Sequence, residues 1–278
     1  MQTYEKLDQK EFLSHIFYPE KIAPTPLPPG SIDVEIEVDA DINIGCRFYV
    51  HDQKSPNILF FHGNGESVTD YDDIGPLFAK AGMNLFVTEY RGYGWSDGTP
   101  TVTTMLTDAE IIFTKSQDWL KGKGYSGATF LMGRSLGSVP AIDLAQKHGD
   151  DIRGLIIESG IAETSPLLQM LGIDCTKTGF TEKDGFGNLE KIESVSKPTF
   201  ILHGARDELI SAEHAEKLQA CCGARSKEFV IIPGAEHNTM ILTGGVLYFQ
   251  TIKRFIDRLT GASNWRKRRK ATNTNQEK

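Results

Sequence analysis

Six short apolar runs, most of them apolar throughout, constrain the fold of this chain more than any other feature. They are residues 57–61 (Asn-Ile-Leu-Phe-Phe), 83–88, 127–132, 152–157, 198–202 and 228–232. A strand covered on both faces needs this continuity, because each of its faces meets protein and not water. Helical segments fall between the runs, at about 103–121, 139–147, 211–221 and 239–259, with another from Ser67 or Asp70 to about Ala81. Strands alternating with helices imply a mainly parallel central sheet with helices on both faces, and so an α/β fold class. Residues 32–38 (Ile-Asp-Val-Glu-Ile-Glu-Val) alternate apolar and polar, as a half-exposed antiparallel strand does. Residues 43–50 read as its partner across a turn at Asp39–Asp41. Ligands of such sheets bind beyond the carboxyl ends of the strands.

The rest of the chain divides around this frame. Residues 1–30 read as an extended N-terminal arm, because Pro19, Pro24, Pro26, Pro28 and Pro29 oppose both helix and sheet pairing. Residues 31–260 form the main domain. Within it, 160–196 is too long for an ordinary connection and reads as a small lid insertion, with a short helix near Ser165–Leu171. Residues 261–278 are polar and basic, including Arg266-Lys267-Arg268-Arg269-Lys270 beside Trp265. A solvated tail is the expectation there, with attachment to an anionic membrane as the alternative. The chain of 278 residues carries a net charge of -7, which argues against nucleic acid as a partner. Met1–Lys10 is polar, without the apolar segment of a signal peptide, so the cytoplasm is the expected location. Cys46, Cys175, Cys221 and Cys222 lack zinc-site spacing and read as free thiols.

Chemistry concentrates where the run at 127–132 meets its helix, in Gly133-Arg134-Ser135-Leu136-Gly137. In a Gly-x-Ser-x-Gly turn the serine sits on strained backbone between strand and helix. Side chains two residues before or after it would clash, and glycine removes them. A serine nucleophile needs a base, and the base needs an orienting acid. Asp207 follows the strand at 198–202, and His237 follows the strand at 228–232, so both emerge on the face where Ser135 sits. Glu208 and Glu158 are the other acids near strand ends.

The order Ser135, Asp207, His237, each after a strand, resembles the α/β-hydrolase superfamily across roughly residues 30–260. The loop His62-Gly63-Asn64-Gly65 is similar to the oxyanion loop of that family. Tyr90-Arg91-Gly92-Tyr93-Gly94-x-Ser96 resembles its esterase-like and serine-aminopeptidase-like branch. The resemblance implies an α/β-hydrolase fold and an oxyanion hole made by the N–H groups of Asn64 and Leu136. It also implies a serine hydrolase that cleaves a carboxylic ester or thioester of a small-molecule acyl substrate through an acyl-enzyme, without metal or organic cofactor. A peptidase or acyltransferase with the same side chains and a non-catalytic binding scaffold are the alternatives. Tyr93 and Trp95 in the glycine-rich loop, and Leu168 and Met170 in the lid, are the candidate substrate contacts, with packing under the loop the equal alternative for Tyr93 and Trp95.

Overall fold

A computed structural model of the chain describes residues 3–262. The strands are β1 (Ser31–Asp39), β2 (Ile42–Tyr49), β3 (Asn57–Phe61), β4 (Asn84–Thr88), β5 (Thr129–Arg134), β6 (Gly154–Glu158), β7 (Thr199–Gly204) and β8 (Lys227–Ile232). Among the described residues they form one sheet in the order β1-β2-β4-β3-β5-β6-β7-β8. The first two pairings, β1 with β2 and β2 with β4, are antiparallel, and every later one is parallel. Residues of β3 and β5–β7 are buried from end to end. Their side chains alternate between two cores. Leu59, Phe61, Leu131 and Ile157 join one, while Ile58, Phe60, Met132 and Ile156 join the other.

The helices are α1 (Lys10–Ile16), α2 (Gly75–Lys80), α3 (Val102–Gly122), α4 (Ser138–Lys147), α5 (Thr164–Met170), α6 (Cys175–Thr178), α7 (Asn188–Glu193), α8 (Ala212–Cys221) and α9 (Met240–Thr260). Side chains of α3, α4 and α8 fill the first core; Phe78 of α2 and Tyr248, Ile252, Phe255 and Ile256 of α9 fill the second. Thr101 caps α3 by accepting from the Thr104 N–H, with Thr104 returning to the Thr101 N–H.

Two segments depart from the sequence reading. The continuous helix expected up to Ala81 is split into a 3-10 turn, Val68–Tyr71, and the short α2. Pro76 lies in the first turn of α2, where its missing N–H costs nothing. Gly75 is pressed so closely on the Tyr49 ring that a Cβ would come within 2.2 Å of it. The N-terminal arm is not extended throughout, since α1 precedes the prolines and its Phe12 and Ile16, one turn apart, are buried in the main core. Phe12 packs on Phe180 of the 160–196 insertion with ring centroids 5.5 Å apart.

The insertion is itself tightly tied. The Glu182 carboxylate accepts the N–H groups of Thr164 and Ser165 at 2.6 and 2.8 Å, capping α5. Phe186 and Leu168 are wholly buried. Among the described residues no helix is long and apolar enough to cross a membrane. The basic segment Trp265–Lys270, with the solvated tail expected around it, lies outside the described residues.

Candidate active site

Ser135 begins a 3-10 turn that leads from β5 into α4, and its φ is +52°, a conformation rare for any residue but glycine. The flanking glycines explain how the strain is held. A Cβ on Gly133 would lie 2.1 Å from the Gly137 carbonyl oxygen, and one on Gly137 would lie 2.0 Å from the Phe61 carbonyl oxygen. β5 and the first turn of α4 are therefore wedged against β3 with no room for side chains. Ser138 Oγ donates to the Ser135 carbonyl at 2.6 Å and accepts the Ile161 N–H at 3.0 Å, tying the turn to the start of the insertion.

Three residues distant in sequence meet at this turn. Ser135 Oγ lies 2.9 Å from His237 Nε2, and His237 Nδ1 lies 2.8 Å from Asp207 Oδ2. Because a carboxylate only accepts, Nδ1 carries the proton and Nε2 is left to accept from the serine hydroxyl. The other Asp207 oxygen accepts the N–H groups of Leu209 and Ile210 at 3.1 and 2.8 Å. Burial pushes the Asp207 carboxyl up, but the hydrogen bond and charge of His237, with the Ile210 N–H, outweigh it and hold the group below the usual aspartate range. His203, 3.5 Å from Asp207, donates from Nε2 to the Ile210 carbonyl at 2.8 Å. Burial holds its imidazole below the ordinary value.

Of the other two acids near strand ends, Glu208 is exposed and Glu158 is occupied elsewhere. Glu158 accepts the Tyr248 hydroxyl at 2.6 Å and lies 3.3 Å from Arg134 Nε. Burial lifts its carboxyl above the ordinary range in spite of Arg134.

Arg134, immediately before the serine, joins three loops. Its Nη2 donates to the His237 carbonyl at 2.8 Å and to Asn238 Oδ1 at 2.9 Å. Its Nη1 pairs with Glu66. Glu66 Oε2 in turn accepts the Gly63 N–H at 2.6 Å and the Tyr71 hydroxyl at 2.9 Å. Burial opposes the Glu66 charge, but the Arg134 guanidinium outweighs it and lowers the carboxyl from its ordinary value. One guanidinium therefore links the serine turn, the His237 loop and the loop at Gly63–Asn64. In the sequence Arg134 lies inside the glycine–serine motif, between Gly133 and Ser135. Its partners lie at or after the ends of three different strands, β3, β6 and β8, and no local pattern marks them.

The Asn64 N–H donates to no acceptor among the described residues, and Leu136 lies in the first turn after Ser135. Beneath Asn64, His62 is wholly buried. Its Nδ1 lies 2.8 Å from the Gly63 carbonyl and its Nε2 lies 2.8 Å from Glu89 Oε2. Both nitrogens face acceptors, so both carry protons and the ring is an imidazolium paired with Glu89. Burial alone would lower the His62 value, and the Glu89 hydrogen bond and charge raise it overall. Gly94 makes room for this carboxylate, since a Cβ there would lie 2.1 Å from Glu89 Oε1.

The four expected substrate contacts are placed differently from one another. Tyr93 is buried, donates to Asn64 Oδ1 at 2.6 Å and accepts the Tyr18 N–H at 2.9 Å, so it braces the loop instead of facing a ligand. Trp95 fills the space that the missing side chain of Gly45 leaves and stands 5.5 Å from the Arg47 guanidinium. Both side chains are engaged in packing under the loop, and Trp95 stays partly exposed. Leu168 is enclosed in the core and offers no surface, whereas Met170 is exposed. Among the described residues, no three His, Cys, Asp or Glu side chains converge as a metal site requires.

A mostly parallel sheet with Ser135, His237 and Asp207 in line beyond its strand ends defines a hydrolase of the α/β type. A family model described as serine aminopeptidase, S33, matches residues 52–174. The human alpha/beta hydrolase domain-containing protein 17B is 30% identical over 226 residues, covering 77% of this chain and 70% of that protein. The chain belongs to the α/β-hydrolase superfamily. Two solved structures share its fold. An esterase of Pyrococcus furiosus superposes with a TM-score of 0.71 at 18% identity, covering 86% of this chain and 98% of that one. A monoglyceride lipase of Saccharomyces cerevisiae, solved with a substrate analogue, superposes with a TM-score of 0.66 at 19% identity, covering 87% and 99%.

Proposed function

We propose that the chain is a serine hydrolase that cleaves a carboxylic ester or thioester through an acyl-enzyme. The observation that carries this reading is the unbroken line from Ser135 Oγ to His237 Nε2, at 2.9 Å, and from His237 Nδ1 to Asp207, at 2.8 Å. His237 takes the hydroxyl proton as Ser135 Oγ attacks the acyl carbon. Asp207 fixes the imidazole tautomer and stabilises its protonated form. The N–H groups of Asn64 and Leu136 receive the oxyanion. As the tetrahedral intermediate collapses, His237 returns the proton to the leaving alcohol or thiol. Water then attacks the acyl-enzyme by the same proton route and releases the acid. The esterase and lipase names of the two fold neighbours agree with an acyl ester as substrate.

The serine aminopeptidase description of the matching family model favours amide cleavage as the second reading. Intact-mass labelling with a fluorophosphonate tests the nucleophile. One adduct is expected on the wild type, and none on Ser135→Ala or His237→Ala. A wild type that is folded and stays unlabelled would overturn the proposal. A series of esters, thioesters and aminoacyl amides run on the labelled enzyme then separates the two readings.

A further inference from the structure

The two most exposed large apolar side chains among the described residues lie on either side of a break in α9, where Gly245 has φ +45°: Leu242, 84% exposed, and Val246, 71% exposed. The fold does not need them apolar. The opposite side of α9, with Tyr248, Ile252, Phe255 and Ile256, is the side buried against the sheet. Together with Leu77 of α2 and Phe249, they line an open groove of about 840 Å³ between α2 and α9. Contiguous apolar surface of this kind on a folded chain marks an interaction site. Its rim is polar in a particular way: Lys80, Lys253 and Arg254 border it, against a single anion, Asp257, which is paired with Lys253.

Charge decides between possible occupants. A second copy laid on this groove would bring the cationic rim against its own image. The chain's own basic run, Arg266–Lys270, carries the same sign as the rim and is repelled by it. An anionic lipid layer offers the opposite charge to the rim and acyl chains to Leu77, Leu242 and Val246. The basic run also follows α9 within a few residues of its end at Thr260, so five more cations are tethered to the helix that carries the patch. An apolar surface bordered by Lys and Arg is the pattern that binds in the plane of an anionic membrane interface.

We infer that the α2–α9 groove is a docking surface for an anionic lipid bilayer. Leu242 and Val246 enter the headgroup–acyl boundary, and Lys80 and Arg254 meet the headgroups. α9 starts at Met240, three residues after His237, so docking holds the His237 loop beside the lipid surface. The net charge of -7 repels the molecule as a whole from such a surface, and attachment therefore depends on this one face.

The test uses the full 278-residue chain and does not involve turnover, so it stands or falls separately from the hydrolase reading. Co-sedimentation is measured with phosphatidylcholine vesicles with and without about 30% phosphatidylserine at roughly 0.1 M salt. Wild type is expected on the anionic vesicles and not on the neutral ones. The variant L242S/V246S should unfold at the wild-type temperature and bind about tenfold more weakly. K80E/R254E should lose the preference for anionic lipid. A chain with Arg266, Lys267, Arg268, Arg269 and Lys270 changed to Gln should bind more weakly yet still respond to L242S/V246S. Wild type that stays in solution overturns the inference, as does L242S/V246S binding like wild type. A wild-type dimer by light scattering that L242S/V246S converts to monomer overturns it in favour of a second copy.

Discussion

Replacing Arg134 by methionine tests whether one buried guanidinium holds the site together. Methionine keeps the volume and unbranched shape of the arginine stem and removes its charge and donors. The structure lists what is then lost: a pair with Glu66, two hydrogen bonds to the His237 loop and the neutralising charge 3.3 Å from Glu158. Glu158 is 1% exposed, and among the described residues its carboxylate then keeps only the Tyr248 hydroxyl. Breaking a buried pair by removing one partner costs about 3–5 kcal/mol, because a buried charge is left uncompensated. In a chain of this size that is a fall in Tm of roughly 6–20 °C. Glu158 already sits above the ordinary carboxylate range because it is buried. A raised acid destabilises the fold when ionised, so the deficit of R134M should shrink as pH falls through the Glu158 value. The decisive measurement is a double-mutant cycle by chemical denaturation with Glu158→Gln. R134M/E158Q should be less destabilised than the sum of the single variants by about 1–3 kcal/mol. Costs that simply add, or an R134M loss under about 1 kcal/mol, would refute the idea of a single charge-coupled unit.

Other expectations follow from the same geometry. Asp207→Asn keeps an acceptor for Leu209 and Ile210 but presents an amide to His237 Nδ1, which favours the wrong tautomer. Turnover of a p-nitrophenyl ester should fall by about four orders of magnitude with unfolding unchanged. Gly137→Ala places a methyl 2.0 Å from the Phe61 carbonyl oxygen and should cost more than about 4 kcal/mol in urea unfolding. Gly65→Ala, at φ +72° but in open space, should cost only about 1–2 kcal/mol. The raised His62 value stabilises the fold fully below its unfolded value of about 6.5, and this contribution is lost as pH rises through the folded value. Stability of wild type relative to His62→Gln should therefore decline above about pH 6.5, and a pH-independent difference would contradict the buried ion pair.

The central strands were legible because burial on both faces writes itself into sequence as unbroken apolar runs, and Phe60 and Phe61 point to opposite cores without any polar residue between them. The break before α2 was not legible. It depends on Tyr49, a residue of another strand, lying flat on Gly75. Density of proline masked α1, although Phe12 and Ile16 carry the one-turn spacing of a helix face. In the site, Ser135, Asp207 and His237 could be found from their order after strands, which is a property of the chain. Arg134, Glu66 and Glu158 could not be joined in the same way, because their meeting is a property of the sheet order β3-β5-β6. For Tyr93 and Trp95 the sequence leaves pocket lining and packing under the loop equally open, for a related reason. Aromatic residues among glycines suit a pocket wall, but the same glycines admit Glu89, and the gap at Gly45 admits Trp95.

These contacts bear on how an oxyanion is met. The loop at Gly63–Asn64 is gripped from three directions: Glu66 accepts the Gly63 N–H, Tyr93 holds the Asn64 side chain, and the His62–Glu89 pair lies below. Stabilising a developing negative charge is effective when the donors are fixed beforehand and need no reorganisation during the reaction. An Asn64 N–H free of acceptors among the described residues, on a loop braced by buried charge, meets that condition before any ligand arrives. The bracing reaches the base as well, because the Arg134 that holds Glu66 also holds the His237 carbonyl. The loop proposed to meet the oxyanion and the imidazole are thus positioned by one set of contacts, while the turn at Ser135 is also tied through Ser138 to Ile161 of the 160–196 insertion.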